Sequence, residues 1–131
     1  MTRRYGIDTS VLVRIITSQP PDAFAYCREE LTKLAESGAE VFASNQVIGE
    51  AYVTVQHHYG VAGDDARAAL VGALQSGLVA PLGGVRVITA LQENRGPGLF
   101  DRLIADDYSR AGLETLTLDR KMAALPEVTR L

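Results

Sequence analysis

The chain has 131 residues, 47% of them hydrophobic and 22% charged, with a formal net charge of -3. That length fits one domain spanning residues 1–131, and the balance excludes a disordered or fibrous chain. The acidic excess excludes a protein held to nucleic acid by bulk charge, so any nucleic-acid chemistry has to come from a local site.

In chain order, Tyr5-Gly6-Ile7 reads as a short first strand. Thr9-Ser10 then open an apolar stretch, Val11 to Ile16, that ends before Pro20-Pro21. Asp22 is expected to cap a longer helix running to about Ser37, with Gly38 as its stop. Glu40 to Ser44 reads as a second strand, followed by a helix from Asn45 to His58 stopped by Gly60. Asp64 and Asp65 start a further helix reaching Ser76, closed by Gly77. Val85-Arg86-Val87-Ile88, rich in β-branched residues, is expected as a third strand. After Gly96-Pro97-Gly98 comes a helix from about Leu99 to Ala111, closed by Gly112. Leu113 to Leu118 then forms a fourth strand leading into Asp119 and a short last helix. Alternation of this kind predicts a single α/β domain: a central parallel sheet of four or five strands with helices on both faces. Sites in such folds form beyond the carboxyl ends of strands, and Asp8 and Asp119 both stand there.

No apolar run approaches the length of a bilayer span, so no membrane association is expected. The opening Met1-Thr2-Arg3-Arg4 meets the first strand with no apolar signal segment. The single cysteine, Cys27, rules out an internal disulfide and suits a reducing cytoplasm. It reads as a small buried hydrophobe or idle thiol, because no redox or protease spacing surrounds it.

Most of the 16 acids have ordinary explanations. Asp22, Asp64 and Asp65 read as helix caps, Glu29, Glu30 and Glu36 as a solvated face, and Glu93 and Glu127 as surface residues. Asp106 lies four residues from both Arg102 and Arg110 and is expected in a helix-surface ion pair. Asp107 falls between Phe100 and Leu103 on the apolar side of its helix and is unexplained. Four acids carry more. Asp8 follows an apolar strand, although an N-cap has the same pattern, and Asp119 shares that ambiguity. Asp101 sits in the first turn of its helix, where the dipole favours an acid in any case. Glu50 points away from the buried stripe Ile48, Ala51, Tyr52, Val55 and Tyr59, as a merely solvated residue also would. Together, with Asp8 and Asp119 ending neighbouring strands, they suggest a crowd of carboxylates. A fold tolerates such a crowd chiefly around a divalent cation, and oxygen-only ligands select Mg²⁺ or Mn²⁺ over Zn²⁺.

Three segments carry a likeness: Tyr5-Gly6-Ile7-Asp8-Thr9-Ser10-Val11-Leu12-Val13, Phe100-Asp101-Arg102-Leu103-Ile104-Ala105, and Leu116-Thr117-Leu118-Asp119-Arg120-Lys121-Met122. With Glu50 in Asn45-Gln46-Val47-Ile48-Gly49-Glu50-Ala51-Tyr52, the chain resembles the PIN-domain ribonucleases, most closely the VapC-type toxins of bacterial toxin–antitoxin pairs. The order of the motifs agrees from end to end. Asp106 and Asp107 stand where that family usually has small or neutral residues, and Met122 where an aromatic is common. The resemblance implies a PIN-like fold and endoribonucleolytic cleavage with Mg²⁺ or Mn²⁺ as cofactor. Asp8 and Asp101 would hold the metal, with Glu50 and Asp119 completing the site directly or through water. Thr9 and Thr117 are candidates for hydrogen bonds that orient the acids from behind, or are simply a cap and a strand residue. Arg14, Arg102 and Arg120 are candidates for RNA phosphate contacts, with ordinary ion pairs as the alternative. A cognate antitoxin and a homodimer are implied partners.

Other readings compete. An aspartate-based phosphatase wants a second Asp two residues after the first, and Ser10 stands there. A receiver domain needs an acidic pair near its first strand, which is missing. A housekeeping RNA-processing PIN nuclease and a catalytically silent PIN fold that only binds a partner remain open. His57-His58 suggest a metal less than a solvated helix end, because adjacent helical residues diverge by about 100°.

Overall fold

The structure, a computed structural model, describes residues 2–131. It is a mixed α/β fold. Chain order runs β1 (Arg4–Gly6), α1 (Thr9–Thr17), α2 (Pro21–Glu36), β2 (Glu40–Ala43), α3 (Asn45–Tyr59) and α4 (Gly63–Leu74). There follow β3 (Ala80–Pro81), α5 (Val85–Gln92), α6 (Leu99–Arg110), β4 (Thr115–Thr117), a 3₁₀ turn (Met122–Ala124) and β5 (Val128–Arg130). No helix is long and apolar enough to cross a membrane.

All strand pairs are parallel, as the alternation predicts, but the strands are short and their ladders separate. β2 is central to a three-stranded sheet, pairing Tyr5 with Val41 on one side and Phe42 with Ala80 on the other. β4 pairs only with β5, Leu116 opposite Thr129. The hydrogen-bonded sheets therefore hold three and two strands rather than four or five in one. Asp8 and Asp119 each follow a strand, as expected, yet β1 and β4 are not neighbours in a ladder.

The clearest correction concerns Val85-Arg86-Val87-Ile88, expected as a strand and found as the first half of α5. A half-buried strand there would hide Val85 and Val87 together. Instead Val85 is 76% exposed, while Val87, Ile88 and Leu91 are buried, the spacing of one helical face. Packing against α4 and α6 outweighs the β-branched preference. Two smaller corrections concern helix starts. Asp22 is not the cap of α2: Pro21 opens that helix, and Asp22 lies in its first turn. Asp64 and Asp65 likewise lie in the first turn of α4 without a side-chain cap bond.

One hydrophobic cluster joins the helices to the three-stranded sheet. Its largest fully buried side chains, Leu12, Ile48, Val55, Leu70, Val87 and Leu91, come from α1, α3, α4 and α5. Each contributes about 1.5–3 kcal/mol by leaving water. The core thus fixes α1 against α3, and α3 against α6, the contacts on which the candidate site depends.

Candidate active site

Asp8 stands between β1 and α1 with an extended backbone and is the N-cap of α1. Its Oδ1 accepts hydrogen bonds from the Ser10 hydroxyl at 2.5 Å and from the Ser10 and Val11 amides at 3.1 and 3.4 Å. The Ser10 hydroxyl above all, then the Val11 amide, holds this carboxyl below its ordinary value. The capping role is real, and it consumes one oxygen. No donor among the described residues reaches Oδ2, so Asp8 keeps a second, outward oxygen.

The next residue reaches across the molecule. Thr9 Oγ1 donates to Glu50 Oε2 at 2.6 Å, tying the start of α1 to α3 over 41 positions of sequence. Gln46, one turn earlier on α3, donates to Oε1 at 3.1 Å. These two bonds, Thr9 first, lower the pKa of Glu50. Glu50 is exposed, as its position off the buried stripe predicts. It is nevertheless oriented, and Thr9 is what orients it.

Asp101 arrives through backbone contact rather than a hydrogen bond. The Phe100 ring lies flush on α3 at Gly49: a β-carbon there would stand 2.6 Å from its Cε1 and 2.8 Å from its Cζ. Only glycine permits that approach. Asp101 follows Phe100 and is half-buried, so this contact brings its segment of α6 to the part of α3 that bears Glu50.

Asp119 is held by its own loop. Its Oδ1 accepts from the Lys121 and Met122 amides at 2.7 and 3.3 Å, and its amide donates to Thr117 Oγ1 at 3.0 Å. Thr117 therefore fixes the backbone of Asp119 and not its carboxylate. The structure thus gathers the segments bearing Asp8, Glu50 and Asp101, and describes Asp119 by local contacts alone.

The candidate arginines divide. Arg102 donates to the carbonyls of Pro97 and Arg95 at 3.0 and 2.8 Å, pinning the loop before α6. It does not pair with Asp106 as expected. Arg14 is half-buried in the last turn of α1, and Arg120 is exposed. His57 and His58 are exposed at the end of α3.

A polar network at the α3–α6 contact was not anticipated. Asn45 Nδ2 lies 3.1 Å from the Leu103 carbonyl and 2.9 Å from both Asp106 Oδ2 and Asp107 Oδ1. Arg110 bridges the same two carboxylates at 2.9 and 2.8 Å, and Arg86 approaches Asp106 Oδ1 at 3.5 Å. Asp106 is 8% exposed, so the buried acid is Asp106, and Asp107 is the surface one. The sequence signal was present: Asp106 continues the buried stripe Leu99, Leu103 at helical spacing.

No protein-family model, curated protein or solved structure matches the chain. The functional reading therefore rests on its own residues. Five clefts of about 280 to 450 Å³ are lined by other side chains; Asp8, Glu50 and Asp119 are exposed and Asp101 is half-buried. Among the described residues no three His, Cys, Asp or Glu side chains form a ready-made metal cage. In kind, however, the acids fit a hard divalent cation. All donors are oxygen, and Asp8 and Glu50 are held ionised by hydrogen bonds that fix their orientation.

Proposed function

We propose that the chain is a divalent-cation-dependent endoribonuclease of the PIN type, acting as the toxin of a VapBC-like toxin–antitoxin pair. The observation that carries this reading is the Thr9–Glu50 hydrogen bond. The bond brings a side chain next to Asp8 onto a carboxylate 41 residues away, as a supporting hydrogen bond would for two ligands of one ion.

In this reading Asp8 and Asp101 hold Mg²⁺ or Mn²⁺, with Glu50 and Asp119 beside them. The ion supplies charge neutralisation and Lewis acidity at the scissile phosphate. The chain's own groups do the rest. Asp8 offers Oδ2 while Oδ1 stays anchored to Ser10 and Val11, so the free oxygen has a fixed direction. Glu50, oriented by Thr9 and Gln46, or Asp119 would align or deprotonate the attacking water. Asp119 would complete the site directly or through water, and Arg14 and Arg120 would bind phosphates at the rim. Under the same proposal the two ladders are parts of one PIN-like sheet of four or five strands, and a homodimer and a cognate antitoxin are the protein partners.

The test is incubation of purified protein with mixed RNA. Cleavage in Mn²⁺ that stops in EDTA supports the reading, and no cleavage under either condition contradicts it. Expression of the chain alone is expected to arrest bacterial growth. Harmless expression of a protein that does cut RNA would point to a processing nuclease instead.

A further inference from the structure

Asn45 opens α3 next to its cap, because Ser44 Oγ already accepts the Val47 amide at 3.2 Å. Its side chain is therefore not needed to start the helix. It is 4% exposed and spends its amide across the interface, on one carbonyl and two carboxylates of α6. Asp106, its buried partner, has no room to turn away. Gly83 lies against it, since a β-carbon there would stand 2.9 Å from Asp106 Oδ2 and 3.3 Å from Arg110 Cζ, and Arg110 holds the same oxygen at 2.9 Å. An apolar pair at this position would pack α3 on α6 without dehydrating a carboxylate. What the polar pair adds is a single geometry: Asn45 Oδ1 and Asp106 Oδ1 are buried without hydrogen-bond partners among the described residues, yet the amide meets its carbonyl and carboxylates in this register only.

That register matters for the acids. Asn45 is level with Leu103 to Asp107, and Gly49 is level with Phe100, so α3 and α6 run antiparallel at this contact. Glu50 lies five positions after Asn45, and Asp101 five positions before Asp106. At about 1.5 Å of rise per residue, both acids stand about 7.5 Å from the same clamp, in the same direction. A slip between the helices would separate them by the length of the slip.

We infer that Asn45, through Asp106, is a positioning residue that sets the register between the helix bearing Glu50 and the helix bearing Asp101. The inference rests on the metal-binding reading of those acids. Asn45 touches neither acid and acts only through the placement of the two helices.

The experiment measures Mn²⁺ binding to RNA-free protein by electron paramagnetic resonance, alongside thermal unfolding of each variant. Asn45→Asp keeps the side chain's shape but sets a third carboxylate against Asp106 and Asp107. Asp106→Asn in the same chain restores one donor facing one acceptor. The expected result is Mn²⁺ affinity weakened about tenfold in folded Asn45→Asp, the low end of what supporting shells of metal sites contribute. Affinity should return in the double variant Asn45→Asp/Asp106→Asn. Should Asn45→Asp fail to fold, Asn45→Ala removes the donor without adding charge and is expected to lose affinity likewise. Lowered unfolding temperature with wild-type Mn²⁺ affinity would overturn the positioning role. Asp8→Asn separates the two levels of the argument. If it abolishes Mn²⁺ binding while the Asn45 variants bind normally, only the positioning role fails. If it binds Mn²⁺ as the wild type does, the metal-site reading fails and the inference with it.

Discussion

Arg67 offers a direct check on the half of the fold that the sequence misreads. It lies on α4, is 9% exposed, and its Nη1 sits 3.1, 3.2 and 3.0 Å from the carbonyls of Ala90, Leu91 and Glu93. Carbonyls so closely spaced converge on one nitrogen because they are the open carboxyl end of a helix, where the dipole favours a cation. A strand at Val85–Ile88 would give no reason for that convergence. Arg67→Met keeps the apolar stem and removes the guanidinium, whose face lies 5.6 Å from the Tyr52 ring. Three charge-assisted bonds at about 1.5–3 kcal/mol each set an upper bound. Rehydration of the carbonyls and relief from burying the cation offset much of it, and the cation–π contact adds about 0.5–1 kcal/mol. The expected loss is therefore about 2–3 kcal/mol by urea unfolding, or about 10 °C in Tm for a domain this size. Arg67→Lys is expected to lose less, because a point donor satisfies some of the carbonyls. Amide hydrogen exchange should accelerate in residues 88–93 of the Met variant before the rest of the chain. A loss below about 0.5 kcal/mol with unchanged exchange in α5 would refute the helix-end role of Arg67.

Gly49→Ala gains about 1 kcal/mol of helix propensity but drives a methyl into the Phe100 ring, an overpacking of about 1–3 kcal/mol. Because that ring is 43% exposed and free to swing outward, stability is expected to hold within about 1 kcal/mol while RNA cleavage falls. Unchanged cleavage would show that the Phe100 contact does not place Asp101. Asp8 and Glu50 have folded pKa values depressed below their ordinary 3.8 and 4.5. Their contribution to stability is therefore complete above those ordinary values and is lost as pH falls through the folded ones. By carboxyl ¹³C titration Thr9→Val should raise the Glu50 midpoint toward 4.5, and a wild-type midpoint already at or above that value would contradict the clasp. In Ca²⁺, single-stranded RNA affinity should fall with salt, and Arg14→Ala and Arg120→Ala should each flatten the slope by roughly 0.7 log units per log unit. Equal slopes in wild type and both variants would leave these arginines structural.

Much of the helical frame was legible because its signals are local. Ser44 before Asn45, Gly60 after Tyr59 and Gly98 before Leu99 mark boundaries that the backbone obeys. Strands were harder. Ala80–Pro81 pairs through only two positions and Val128–Arg130 through three, too short for any period to show, so neither was anticipated. Val85–Ile88 failed differently: three β-branched positions around Arg86 suit either structure, and only the packing of α4 and α6 decides between them. In the site, Asp8 was visible from its place after a strand. What tied it to Glu50 was a hydroxyl bond across 41 residues, which no local pattern encodes. Which of Asp106 and Asp107 is buried is legible from helical phase, since Leu99 and Leu103 already point to position 106.

The most direct test of the central claim is Asp8→Asn. Asparagine caps helices as well as aspartate does, so the α1 cap to Ser10 and Val11 should survive. With its oxygen in the cap, the outward atom becomes the Nδ2 amide, which carries no charge and is no ligand for a hard cation. The measurement is cleavage of single-stranded RNA in Mn²⁺ by carefully purified wild-type and Asp8→Asn protein, with the unfolding temperature of each recorded in EDTA. The account predicts abolished cleavage with an unfolding temperature close to that of the wild type. Cleavage at the wild-type rate by folded Asp8→Asn protein would contradict it.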